Sequence, residues 1–221
     1  MVASVRNYQD YRLVCISASS PDELEQLKSQ NVRAELKASP ENDAAMNRLG
    51  YSFGDRTLGV SINLKRSTVD YDSLVRFNLR RAEERDWPDI LRIAQASFPT
   101  DRRFHVRPML DQKLANIIIQ AWVEHLTGAY VCIYKDSVIG FIDLEPVSEK
   151  EVSIHLAAVE EQYRAAGAAL SMYAYAIRQA REDGYQKVTG RISSTNTAVM
   201  NLYAYLGATF SEPLDVYLKE G

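Results

Sequence analysis

Cysteine is nearly absent from this chain: two residues in 221, Cys15 in RLVCIS and Cys132 in YVCIY, each inside an apolar, strand-like run. A buried reduced thiol there behaves as a small hydrophobe, so neither a disulfide framework nor a cysteine-bound metal cluster is expected. The three histidines, 105, 125 and 155, lie far apart without the short spacings of a zinc site, and no metal is expected. No uncharged apolar run is long enough to span a bilayer, and the opening MVASVRNYQDYRLVC lacks a cationic start followed by an apolar stretch. These absences lead us to expect a soluble, cytoplasmic protein. An excess of positive charge is missing too: 26 Lys and Arg stand against 29 Asp and Glu. The net charge of -3 gives no general pull toward nucleic acid or anionic membrane, so any anion site must be local.

What is present is a large apolar fraction, 46%, ample for a real core. The polar segment Lys65–Leu74 has no clear period and separates two stretches that each alternate strand-like and helix-like patterns. We place a boundary there, giving a smaller α/β half over 1–75 and a larger domain over 76–221. In the larger part VRFNLRRA alternates as a strand. Asp86 is positioned to cap a helix with Pro88 in its first turn and Ile90, Ile93, Ala94 and Phe98 on one face. A second helix carries Leu114, Ile117, Ile118, Ala121, Trp122 and His125 at helical spacing before Gly128. AYVCIY and VIGFIDL flank a Lys135-Asp136-Ser137 turn, and VSIHLAAV follows as a third strand. A long helix from Tyr163 to Gly184, the strand KVTGRI, the helix NTAVMNLYAYLG and the strand DVYLK complete an α+β order with a mixed sheet.

Two segments overlay without gaps: Ser39–Tyr51 and Asn196–Ala208. Leu49-Gly50 matches Leu206-Gly207, Ser39 falls opposite Asn196 and Met46 opposite Tyr203. Leu-Gly helix ends are common, so the overlay is compatible with chance as well as with a repeat. The stretch Arg164-Ala165-Ala166-Gly167-Ala168-Ala169 follows directly on a strand. Small side chains at a helix start leave its amides reachable, and those amides with the helix dipole attract a phosphate. Close helix packing favours the same residues, and composition alone does not choose between the two.

At these residues the chain resembles a family. Arg164 to Ala169 is similar to the Q/R-x-x-G-x-G/A motif of the GNAT acetyltransferases, with Ala169 in the second glycine's place and Gln162 where proline is frequent. Asn196 to Ala208 resembles the family's N-x-x-A-x-x-L-Y-x-x-L-G-F motif, and FNLRRAEERDWPDILRIAQASF its opening strand and helix. The resemblance covers about residues 76–221. It implies a mixed, mostly antiparallel sheet flanked by helices, and acetyl-CoA as co-substrate. Its pyrophosphate would be held by amides of Ala165, Ala166, Gly167, Ala168 and Ala169 with Arg164 at the edge and Val159 on the preceding strand. It further implies that Asn196 lies near the pantetheine arm and that the Tyr203 phenol protonates the departing sulfur; core packing is the other reading of Tyr203. His155 and Glu145 are candidate bases for the incoming amine, and an ordered water chain is a third option. Neither cysteine has a base beside it in sequence, so direct attack in a ternary complex is expected over a covalent acetyl-enzyme.

Arg102, Arg103 and Arg107 lie beside Phe98, Phe104 and His105, a local basic and aromatic cluster that could grip a phosphate, or else a solvated loop. GNAT enzymes build their acceptor pocket from this connection. The whole chain also resembles the dTDP-fucosamine acetyltransferase type, which carries an incomplete GNAT-like first half. That likeness implies a small-molecule amine acceptor of the amino-sugar nucleotide kind. A peptide or another small amine is the alternative acceptor, and a non-catalytic acyl-CoA-binding module the alternative function. Dimerisation is common in the family, so a homodimer is the one protein partner considered.

Overall fold

In SVIGFIDLEP both alternating sets of residues are apolar, and this segment becomes a strand covered on both faces. The computed structural model describes residues 2–9, 11–25, 27, 30–98, 101, 104–105 and 111–221. Its strands are β1 (Val2–Tyr8), β2 (Tyr11–Ser17), β3 (Val32–Lys37), β4 (Ser52–Asn63), β5 (Asn78–Arg81), β6 (Ala129–Tyr134), β7 (Ser137–Ser148), β8 (Glu151–Val159), β9 (Lys187–Ser193) and β10 (Thr209–Lys219). The helices are α1 (Pro40–Arg48), α2 (Trp87–Ser97), α3 (Gln112–Glu124), the single turn α4 (Glu161–Arg164), α5 (Ala168–Glu182) and α6 (Thr197–Tyr205). All ten strands form one sheet in the order β1-β2-β3-β10-β4-β9-β8-β7-β6-β5. Only β2–β3 and β8–β9 are parallel, so the expected mixed, mostly antiparallel α+β sheet is what the chain forms.

Val138 to Leu144 are all buried in β7. On one side α5 sets Ala168, Met172, Ala176 and Ile177 against the sheet; on the other α2 and α3 bury Ile90, Ile93, Ala94, Leu114, Ile118 and Ile119. Each fully buried leucine, isoleucine or methionine side chain among these contributes about 1.5–3 kcal/mol. Gly140 is what lets α5 lie so close: a Cβ there would come within 2.7 Å of Met172 Sδ and 2.9 Å of the Ala158 carbonyl. The hairpin joining β6 to β7 turns through Lys135 and Asp136, both at positive φ, as a two-residue turn requires.

Three sequence expectations shift in detail. Asp86 does not cap α2. Its carboxylate accepts from Arg80 at 2.6 and 2.9 Å and from the Glu83 amide at 2.8 Å, because a buried acid is better satisfied by a guanidinium than by a helix end. The second helix ends at Glu124, before Gly128. Its buried face is Leu114, Ala115, Ile118, Ile119 and Val123, one position away from the expected stripe. Three consecutive isoleucines, 117–119, leave the helical phase ambiguous, and Val123 decides it.

The two overlaid segments share their local geometry. Ser39 caps α1 by accepting from the Asn42 amide at 3.1 Å, and Asn196 caps α6 by accepting from Val199 at 3.2 Å. Gly50 and Gly207 then end the helices at φ 79° and 80°. The strands that follow, β4 and β10, lie antiparallel to each other at the centre of the sheet, and each pairs on its far side with the strand preceding the other's helix: β4 with β9, β10 with β3. Read outward from that centre, both directions give an antiparallel, a parallel and an antiparallel neighbour. Strands from before and after residue 75 thus alternate within one sheet. The connection between them is pinned by Tyr71, whose hydroxyl donates to the Leu206 carbonyl at 3.0 Å.

Candidate active site

Parallel pairing of β8 with β9 runs only from Glu151–Lys187 to Ile154–Gly190. Beyond it β8 follows β7 to Val159, while β9 follows β4 to Ser193, so the two neighbours part and open a cleft bordered by Ile154, His155, Arg191, Asn196 and Tyr203. Such a divergence exposes main-chain groups at strand ends, where sheet proteins take ligands.

Tyr203 comes up under this opening from α6. It is only 2% exposed, its ring stands edge-on to Tyr173 at 5.2 Å, and its hydroxyl lies 2.9 Å from the point a Cβ on Gly190 would occupy. Glycine at 190 therefore makes room for the phenol where the strands separate. Asn196 borders the same cleft with its Oδ1 engaged as the α6 cap.

The helix α5 starts at the end of β8 that opens. Gly167 precedes it at φ 81°, and no side chain caps it. The amides of Ala166 and Gly167 are already bonded to the carbonyls of Tyr163 and Arg164, so the amides that α5 itself leaves over are those of its first turn, Ala168, Ala169 and Leu170, of which Ala168 is fully buried. Arg164 donates to the Val159 carbonyl at 3.0 Å and to Ser97 Oγ at 3.3 Å, tying the turn to β8 and α2. A Cβ on Gly167 would meet nothing within 4 Å, and the same holds for Gly184 at φ 87° beyond the other end of α5. Gly167→Ala and Gly184→Ala should each destabilise by about 1 kcal/mol through the left-handed backbone. Only Gly167→Ala would also disturb an anion held at the start of α5, so equal ligand affinity of the two variants, measured by calorimetry beside their melting temperatures, would show that no ligand group sits there.

His155 stands half-buried on β8 where the register with β7 shifts, and its Nδ1 is hydrogen-bonded to Glu145 Oε2, so the two candidate bases form a single pair. The imidazole also stands edge-on to Trp122 at 4.9 Å. From Trp122 a line of ring contacts continues to Phe104 at 5.1 Å and from there to Phe98 at 5.1 Å. The aromatic half of the cluster noted in the sequence thus leads to His155; Arg102, Arg103 and Arg107 lie outside the described residues. Sequence reasoning missed Trp122 as a site residue, since at helical spacing it reads as core.

Asp143, on β7 beside the pair, is 2% exposed and accepts from the Gly128 amide at 2.9 Å. Burial holds its carboxyl above the usual carboxylate range, with the Gly128 hydrogen bond and His155 pulling the other way. A raised folded value favours the protonated acid, so the stability it brings is complete below the unfolded pKa of about 3.9 and is lost as pH rises through the folded value. Asparagine keeps an acceptor for Gly128 without the charge. Asp143→Asn should accordingly melt above the parent at pH 7, with the gap closing toward pH 4; a gap that widens on acidification contradicts this.

The chain matches the acetyltransferase (GNAT) family over residues 87–208, more than half its length. It belongs to that family. Family members transfer acetyl groups from acetyl-CoA to amines. No curated protein sequence matches the chain. Among solved structures, a conserved protein of unknown function from Staphylococcus epidermidis superposes with a TM-score of 0.70 at 17% identity, covering 97% of this chain and 86% of the other. A GCN5-related N-acetyltransferase from Sphaerobacter thermophilus gives 0.64 at 15% identity, covering 99% and 76%. A glucosamine N-acetyltransferase region within a fungal multi-domain β-N-acetylglucosaminidase gives 0.63 at 12%, covering 98% of this chain and 31% of that one. At these identities the likeness is one of fold. Among the described residues, no helix is long and apolar enough to cross a membrane.

Proposed function

We propose that this chain is an acetyl-CoA-dependent N-acetyltransferase in which a primary amine attacks the thioester directly within a ternary complex. The observation that carries the reading is one cleft bordered by the Tyr203 phenol on one side and by His155, paired with Glu145, on the other. Direct attack needs two proton movements: one off the ammonium and one onto the leaving sulfur. The His155–Glu145 pair serves the first. A carboxylate only accepts hydrogen bonds, so Glu145 draws the imidazole proton to Nδ1 and leaves Nε2 as the basic atom. Tyr203 serves the second as general acid. The uncapped first turn of α5, with Gly167 before it, suits the pyrophosphate, and Asn196 and Val159 flank the path to the reacting end.

Both thiols fit this scheme by staying protonated: burial pushes Cys132 up to about 12, and burial raises Cys15 against the opposing pull of Arg6 and Arg33. A covalent acetyl-cysteine needs a thiolate. We assign the chemistry to 76–221. As acceptor, the resemblance to the dTDP-fucosamine acetyltransferase type favours an amino-sugar nucleotide, with Arg102, Arg103 and Arg107 as its phosphate contacts. The test is thiol release from acetyl-CoA by the purified protein against amino-sugar nucleotides, amino acids, peptides and polyamines. Turnover with an amine supports the enzyme; coenzyme A binding without turnover on any class would make the chain an acyl-CoA-binding module.

A further inference from the structure

The sheet curls so that the β1–β2 hairpin, its far edge, comes back over α3 and β8: Tyr8, Tyr11 and Leu13 share one core cluster with Leu114, Phe141 and Leu156. Two cavities lie under this fold-back and meet at Arg6, Tyr8, Trp122 and His155. The larger, about 380 Å³, also contains Asp143 and Glu145. The smaller, about 240 Å³, runs between Cys15, Arg33 and Glu35 on one wall and Thr57 and Arg191 on another, and it shares Ile154, His155 and Arg191 with the cleft above Tyr203.

The two cavities are oppositely charged. The larger sets two carboxylates against Arg6. The smaller sets Arg6, Arg33 and Arg191 against one carboxylate, Glu35, which is already paired with Arg33 at 2.5 Å. Arg191 donates to a neutral oxygen, Thr57 Oγ1, at 2.9 Å, and the Arg6 guanidinium sits over the Trp122 ring at 5.5 Å. Arg6 borders both cavities and Arg33 is paired with Glu35, so in the smaller one Arg191 is the cation whose named partner is neutral, a short way from the His155–Glu145 pair.

Resting on the function proposed above, we infer that the acceptor is a small amine that also carries an anionic group, carboxylate or phosphate, and that the first 75 residues hold that group through Arg6 and Arg33 facing Arg191. The amine end lies at His155 and Glu145, and the anionic end fills the smaller cavity. Six of the residues lining that cavity, Arg6, Tyr8, Leu13, Cys15, Arg33 and Glu35, come from β1 to β3, so the first half of the chain completes the acceptor site instead of merely supporting it. An unmodified polyamine is rejected by the same charges.

The experiment uses the full chain and matched pairs of amines: an amino acid and its carboxamide, an amino sugar 6-phosphate and the unphosphorylated amino sugar, and a nucleotide-linked amino sugar. Thiol release is measured beside calorimetric binding of each amine to coenzyme A-loaded protein. In at least one pair the acidic member should be preferred by about 10- to 100-fold, the range for a hydrogen bond to a charged group. Which pair responds separates carboxylate from phosphate. Arg6→Gln should remove most of that preference by raising the acceptor KM while the Kd for coenzyme A stays put, and Arg191→Gln, from the opposite wall, should independently remove it. Equal or better use of the neutral members, a preference that survives both substitutions, or no binding of any acidic amine to protein that still binds coenzyme A overturns the inference and leaves the transferase reading standing. Loss of coenzyme A binding by the parent protein removes both.

Discussion

Replacing Tyr203 by phenylalanine should leave coenzyme A binding intact and lower turnover by about 10²- to 10⁴-fold, the range for a positioned general acid. The substitution separates two roles that the fold superimposes on one side chain. As a core residue Tyr203 is nearly sealed, packed edge-on against Tyr173 and beneath Gly190, and phenylalanine keeps that ring. Loss of the hydroxyl alone therefore leaves the melting temperature within a few degrees of the parent. As an acid, the phenol is the group the departing thiolate meets, and phenylalanine has no proton to give. Retained turnover with an unchanged melting temperature would return Tyr203 to the core. Gly190→Ala approaches the same atom from the other side, since its Cβ would stand 2.9 Å from the hydroxyl.

The order of strands and helices beyond residue 76 was legible because each element carries its own period and its own stop: Gly184 and Gly207 end helices at positive φ, and Lys135-Asp136 turns the hairpin. The small-residue run was legible as a helix start but its break was not: the helix expected from Tyr163 is a single turn, Glu161–Arg164, and α5 begins only at Ala168 after Gly167 at φ 81°. What sequence could not supply is pairing at a distance. In VSIHLAAV the alternation leaves open which residues are buried and against what; Val152, Ile154 and Val159 join the α5 core while Leu156 and Ala158 join the α2–α3 core, because the register with β7 shifts between Ile154 and Ala157, and His155 meets Trp122 of α3. Nothing local to Arg6 or Arg33 announces a ligand site. They reach one only because β4 is inserted between β9 and β10, which joins the first half edge to edge with the second and brings β1 over Trp122. Trp122 likewise has the spacing of a core residue and becomes a wall between two cavities.

The second large effect is expected at the His155–Glu145 pair, where the order of the two single losses identifies the base. If His155 takes the proton from the ammonium, His155→Gln should cost about 10²- to 10⁴-fold in kcat/KM. Glu145→Gln should then cost less, about tenfold, because the imidazole remains and loses only the carboxylate that holds its tautomer and orientation. Two groups acting through one proton path are not additive, so the double variant should be little worse than His155→Gln alone. Coenzyme A affinity should be unchanged in all three, since the pair faces Trp122 and the acceptor cavities. A larger loss for Glu145→Gln than for His155→Gln would make the carboxylate the base and the imidazole its positioning partner, which the exposure of Glu145 on the rim of the larger cavity permits. Small losses for both would hand the proton to ordered water. Steady-state thiol release with one reactive amine, run on the parent, the two single variants and the double, distinguishes the three outcomes: a water relay predicts four nearly equal rates, whereas either side-chain base predicts one dominant loss that the second substitution barely deepens.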